Sequence, residues 1–498
     1  MICRTDPIGL RAGIAALALA VSGCGAAGGD AAPLDDTEHA GSPETLAQVE
    51  AGRALYRGGE HFAALDQVET ALAADPGDPQ ALLFRGQIAR DASGPALAIP
   101  WFERALAADS DDIAIRTEFA ATLSDAGRAR KALAVLREGD KGALGDPRGL
   151  FVQALIAARG EDWALARKLL DRSIAGGWRR PASTLLSATI DLEAGLYDSA
   201  AQQLSGLMRS HGDSERVSDL LALALCRSGN HRELTTRFFD RAAGARGSPY
   251  LRTLVARGFE ALGDRRRAAY FLDMAARPAP GLASIADETA PGIEPSARDG
   301  PGMRAGIRAA IAAGNDGAAL DRAQAFVAAH PASADALALL GDAQLAADDA
   351  AAARRTYARA AQIRQGWPMI LRRVAAESDP AARSRLLADY LVANPREAAA
   401  AALMADALIE QGDFASAAIL LDHAIAHGAR RTPRVLALRS RVAWELGNTE
   451  TARGWAIEAH DLQPLNAMAT AALIAALGPQ ETEAKLELQA KLSSLGGQ

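Results

Sequence analysis

The sequence predicts an all-α fold, an α-solenoid of stacked helix–turn–helix units, on three observations. Hydrophobic residues make up 49% of the 498 residues but aromatic residues only 5%, so the apolar mass is mainly alanine and leucine. These are strong helix formers, whereas sheet cores favour β-branched and aromatic side chains. Second, small residues recur every 34 positions. Third, glycines fall between them in a register of their own. A chain of this length is too long for one ordinary core but not for a repeat architecture. The 23% of charged residues and the net charge of −7 argue against disorder and against nucleic-acid binding. Three cysteines exclude a disulfide framework.

In chain order, residues 1–23 read as a targeting segment. Arg4 and Arg11 supply a basic start, Ile14–Val21 a short apolar run, and Val21-Ser22-Gly23-Cys24 follows. The run is too short to span a bilayer, which takes about 20 residues. The four-residue motif resembles the lipobox of bacterial lipoproteins, which implies cleavage before Cys24, acylation of its thiol and a membrane anchor. Gly25 and no aspartate follows Cys24, which favours the outer membrane by analogy with enterobacterial sorting. Cleavage would leave a mature net charge of −8. Residues 24–43, rich in Gly, Ala, Asp and Pro, read as a flexible tether.

Residues 44–277 carry the first repeat array. Positions 64, 98, 132, 166, 200, 234 and 268 read Ala, Ala, Ala, Ala, Ala, Leu and Ala. Twelve residues before each stand Gly52, Gly86, Ala120, Ala154, Ala188, Ala222 and Ala256. Gly59, Gly127, Gly195, Gly229 and Gly263 share the turn register, with Gly94 and Gly160 one residue from it. Small residues let two antiparallel helices approach, and glycine supplies the left-handed conformation that ends the first helix. One pair cannot bury its apolar face alone, so pairs stack.

This pattern resembles the tetratricopeptide repeat. The first unit fits with Gly52, Gly59, Ala64, Val68, Ala71 and Pro76, the second with Gly86, Ala98, Phe102 and Ala105. The usual tryptophan of the first helix is absent, as are many closing prolines. The resemblance implies a right-handed superhelix whose first helices line a concave face that binds protein partners. The exposed positions of that face would be Arg53, Tyr56 and Arg57; Gln87, Arg90 and Asp91; and Ala121, Ser124 and Asp125. Further along they would be Arg159, Glu193, Arg227, Arg257 and Glu260. The lysine and asparagine pattern of the family's carboxylate clamp is missing, so capture of an acidic C-terminus is not expected.

Five prolines between 278 and 302 break the register and predict a linker, hence two semi-independent arms, each with its own groove. A second array of about five units over 303–465 follows the roughly seven of the first. It carries Gly341, Ala353 and Tyr357, then Gly412 and Ala417, then Gly447 and Ala452. Its concave positions would include Asp342, Asp406, Glu410, Arg441, Trp444 and Glu445. Residues 466–498 offer two more helical stretches that would cap the stack.

No phosphate loop, dinucleotide fingerprint, zinc-protease helix or nucleophile elbow occurs, so neither an enzyme nor a cofactor is expected. Asp109, Asp111 and Asp112 lack the rest of a calcium loop and read as a junction that caps the next helix. His423 and His427 have ligand spacing on one helix face but no third ligand. Cys226 reads as a buried small hydrophobe. The expectation is a lipid-anchored scaffold that binds protein partners in the bacterial envelope, in exopolysaccharide export, pilus assembly or outer-membrane assembly, without nucleic acid. The alternatives are direct polysaccharide contact, which would want stacked aromatics in the groove, and an accessory role beside an envelope enzyme.

Overall fold

The computed structural model describes residues 43–138, 143–211, 214–244, 247–276 and 300–496. Among these residues the regular structure is helical throughout, with 26 α-helices and no strand. Before the break they are α1 (Pro43–Arg57), α2 (His61–Ala74), α3 (Pro79–Ser93), α4 (Pro95–Ala108), α5 (Ile113–Asp125), α6 (Ala129–Arg137) and α7 (Pro147–Arg159). Then come α8 (Trp163–Ala175), α9 (Pro181–Glu193), α10 (Tyr197–His211), α11 (Glu215–Ser228), α12 (His231–Ala243), α13 (Pro249–Ala261) and α14 (Arg265–Ala276). After it follow α15 (Gly300–Ala312), α16 (Asp316–Ala329), α17 (Ala334–Ala346), α18 (Ala350–Ala360), α19 (Trp367–Ala376) and α20 (Pro380–Ala393). The last six are α21 (Ala398–Glu410), α22 (Phe414–Ala426), α23 (Pro433–Glu445), α24 (Thr449–Leu462), α25 (Ala467–Ala476) and α26 (Thr482–Gly496). The chain is an α-solenoid of helical pairs. Helix α15 begins at Gly300, inside the expected linker, most of which lies outside the described residues, as do Cys24 and the expected tether up to residue 42, its last residue Pro43 being the first of α1.

Local chemistry explains the punctuation. Asp78, Asp112 and Asp146 each accept a backbone N–H from the first turn of the helix they precede, and Pro79 and Pro147 start two of those helices without wasting a donor. Asp109 turns its carboxylate onto the amides of Asp111 and Asp112, so this acidic run is a junction and cap. The five turn glycines have φ between 77° and 86°. Where the register lacks glycine, Glu161 takes the same left-handed conformation at φ 63°, as does Asp348 in the second array at φ 62°.

The small residues sit where helices cross. Ala64, Ala98, Ala132, Ala166 and Ala200 are fully buried. A Cβ added to Gly86 would stand 3.2 Å from the Phe102 ring. Ala98→Leu or Ala200→Leu is therefore expected to cost about 1–3 kcal/mol through overpacking. Ala54→Leu, on an exposed face of α1, should fall within about 0.5 kcal/mol of wild type. Equal melting shifts at both kinds of site would show the register to be wrong.

The helices form two compact units, and the division does not follow the proline-rich break. One unit holds α1–α8 with α15–α20, the other α9–α14 with α21–α26. The expectation of two semi-independent arms is thus corrected: each unit takes helices from both arrays. The reason is visible in the first unit, where one apolar cluster joins Val49, Val68 and Phe84 to Leu337, Tyr357 and Met369. Backbone hydrogen bonds seal the seam, Phe62 N–H donating to the Ala332 carbonyl at 3.0 Å and Gln365 N–H to that of Asp91 at 3.1 Å. The second array returns onto the first about eight repeat lengths along the chain.

Candidate protein-binding face

The first helices of successive pairs in the first unit, α1, α3, α5 and α7, share one polar face. Arg53 on α1 donates to Gln80 on α3 at 3.0 Å, and Gln80 donates onward to Asp112 at the start of α5 at 2.9 Å. The Tyr56 hydroxyl donates to Asp91 at 2.7 Å. Gln87 reaches Glu118, and Arg90 pairs with Glu118 at 2.9 Å and donates to Thr122 at 3.3 Å. Arg148 on α7 also pairs with Glu118. Arg159 donates to Ser124 and to Asp125, the latter at 2.9 Å. Each link spans about one repeat, so the lining is a ladder of hydrogen bonds from one pair to the next.

This corrects the expected exposure of several positions. The Arg90 and Arg159 side chains keep only 11% and 5% of their surface, and Ser124 and Asp125 are buried. Helix α5 is buried on every side from Ile115 to Asp125, its polar side chains included. A buried charge must be paired, and the ladder pairs it. Of the ten expected positions on α1, α3, α5 and α7, Arg57 alone is exposed, with its Nε donating to the Arg53 carbonyl. In the second unit, Glu193 on α9 and Arg227 on α11 are half-buried, while Arg257 pairs with Glu260 along α13. The later positions divide likewise. Asp342 is buried against Arg372, and Asp406 pairs with Arg434, whereas Glu410, Arg441, Trp444 and Glu445 are exposed.

The electrostatics follow burial. Desolvation lowers the Arg53 pKa against the opposing pull of Glu50 and Asp78. It raises that of the Tyr56 hydroxyl above the usual tyrosine range, with Asp91 adding to the shift, so Tyr56 stays a donor. Burial raises the Asp125 carboxyl while Arg159 pulls it down. Arg396, just past α20, is lowered by burial and then by the like charge of Arg159. Glu118, Arg148 and Arg396 were not foreseen. For Glu118 and Arg148 the available signal is an arginine and an acid about one repeat apart along the chain; Arg396 comes from the second array, and no spacing within a repeat points to it.

Among the described residues no three or more His, Cys, Asp or Glu side chains converge as a metal site. The rings of His423 and His427 stack at 4.1 Å, and Cys226 is buried. No described helix is long and apolar enough to cross a membrane. The face presents polar groups held in place by hydrogen bonds from one helical pair to the next.

Comparison with known proteins agrees with the repeat register. Residues 49–113 and 403–467 each match the family model described as Tetratricopeptide repeat. No curated protein matches the chain. Similar solved structures include a tetratricopeptide repeat protein from Parabacteroides merdae, at 16% identity and TM-score 0.33, covering 47% of this chain and 92% of that one. The APC/C hetero-tetramer Cut9–Hcn1 is similar at 11% identity and TM-score 0.31, covering 87% and 96%. Yeast Tom70 is similar at 13% identity and TM-score 0.28, covering 91% and 95%. The chain thus carries tetratricopeptide repeats, one matched stretch in each of its two units.

Proposed function

We propose that the chain is a scaffold that holds protein partners in the bacterial envelope, anchored by lipid at Cys24 and serving exopolysaccharide export, pilus assembly or outer-membrane assembly. The observation that carries the binding role is the tetratricopeptide repeat itself, matched once in each unit, with a polar face along the first helices of the first unit. The hydrogen-bonded ladder supports it, because side chains already fixed lose little freedom when a partner docks. The motif Val21-Ser22-Gly23-Cys24 after an apolar run supports the anchor. The test follows from which positions are exposed. Arg57→Glu in one variant, and Arg441→Glu with Trp444→Ala in another, should keep the helical content of the wild type. At least one of them should lose a partner that the wild-type chain retains after affinity capture from envelope extracts. If the wild type retains no partner, or both variants retain it equally, the binding reading fails. Cys24→Ser should abolish fatty-acid incorporation and move the chain out of the membrane fraction; no label in the wild type would remove the anchor.

A further inference from the structure

The seam between the arrays in the first unit is closed around a buried histidine. His61, the first residue of α2, is 2% exposed. Its Nδ1 accepts the N–H of Ala334, the first residue of α17, at 3.2 Å. The start of a helix has unpaired N–H groups and the positive end of the helix dipole. His61 therefore fills an orphan donor of α17 and does so as the neutral ring. With Nδ1 accepting, the ring's proton is on Nε2, so Arg364 Nη1, 3.3 Å away, faces a donor there and is held instead by Asp335 at 3.2 Å, whose carboxylate is the strongest of the charges favouring a protonated ring. The Tyr56 ring meets the imidazole edge-on at 5.2 Å. Asp91 on α3 and Glu60 beside it also act on the ring, and Glu60 itself contacts His330 at 3.1 Å. The carboxylates favour a charged ring; burial, Arg364 and the helix start oppose it. Burial is the largest influence, and it lowers the His61 pKa below the ordinary histidine value.

We propose that this seam is an acid-released latch over one end of the shared polar face: closed, the segment 363–366 is tied to the Tyr56–Asp91 pair, and protonation of His61 lets it go. On the closed side, Gln365 N–H is bonded to the Asp91 carbonyl beside the Tyr56 hydroxyl contact. On protonation, Nδ1–H would face Ala334 N–H, two donors with no acceptor between them, at the positive end of α17. The inference rests on the reading of that face as the binding surface, and it adds regulation to it. Because the closed seam lowers the pKa, the contribution of His61 is present in full above about pH 6.5 and is lost as the pH falls towards its closed-state value. An opened seam restores the ordinary value, so at about pH 5.5 opening is favoured by at most about tenfold over neutral pH.

The test uses the full-length chain without any partner. Amide exchange of peptides covering Phe62, Ala334 and Gln365, corrected for the intrinsic rate, is compared at about pH 7.5 and about pH 5.5. Opening is expected to rise by about threefold to tenfold in the wild type. His61→Gln, which keeps an acceptor but does not titrate, should abolish the rise, and His330→Gln should leave it. An unchanged wild type, or the same rise in His61→Gln, overturns the latch. If His61→Gln loses helical content, C2-proton exchange of His61 in the wild type decides instead: titration at or above about 6.5 overturns the proposal. With no partner in the measurement, failure here leaves partner capture untouched.

Discussion

Asp125→Ala is expected to lower stability by about 3–5 kcal/mol, the cost of leaving a buried charge without its counter-ion. Asp125 is buried at the end of α5, and the Arg159 side chain that grips it keeps 5% of its surface. Arg396 feels the same carboxyl. Removing Asp125 therefore strands the Arg159 guanidinium and takes away an attractive charge near Arg396. Ser124, which Arg159 also contacts, offers a neutral oxygen and no charge. The contrasting change is Glu69→Ala, which breaks a pair with Arg85 whose carboxylate side is 48% exposed. Exposed pairs contribute about 0–1 kcal/mol. Since repeat stacks can open in parts, the measurement is local exchange over α5 and α7 alongside the melt. Similar losses for the two variants would mean that Asp125 is not the buried node described here.

What was legible in the sequence is what repeats within one pair of helices. Ala98, Ala200 and the glycine at 127 could be placed because crossing and turn each demand a small or left-handed residue at a fixed offset. The polar face was half legible. Arg90 and Arg159 stand at the expected positions, but their burial depends on Glu118 and Asp125, which lie on the neighbouring pair. Reading one repeat at a time makes such arginines look free. The return of the second array was not legible at all. The bond between His61 and Ala334 joins residues 273 apart in sequence, and neither stands out in its own repeat: one starts a helix after a turn, the other follows a capping serine. The prolines between 278 and 302 predict a break in helical pattern, and the last of them, Pro301, falls in the first turn of α15. A break in helix does not decide which apolar faces meet afterwards, and Val49, Phe84, Leu337 and Met369 meet in one cluster.

Tyr357 tests that shared cluster. Its ring is fully buried and lies where Gly341 has no side chain: a Cβ there would fall 2.3 Å from it. Its hydroxyl donates to Asp342 at 2.8 Å, and Arg372 clasps the same carboxylate at 2.8 and 3.0 Å. Burial first, and Asp342 second, push the hydroxyl above the usual tyrosine range, so it remains a donor. Tyr357→Ala removes a large side chain from a close-packed site and is expected to cost about 3–5 kcal/mol. Tyr357→Phe keeps the ring and removes one hydrogen bond; Asp342 keeps Arg372, so the loss should be about 1 kcal/mol. The location of the damage is the sharper readout. Because the cluster joins residues 49–88 to residues 334–376, the alanine variant should raise amide exchange in α2 and α3 as well as in α17 and α18. Opening of a cooperative unit spreads to everything that shares its core. Exchange that rises around 334–376 while α2 and α3 stay as protected as in the wild type would show that the two arrays touch there without sharing a core.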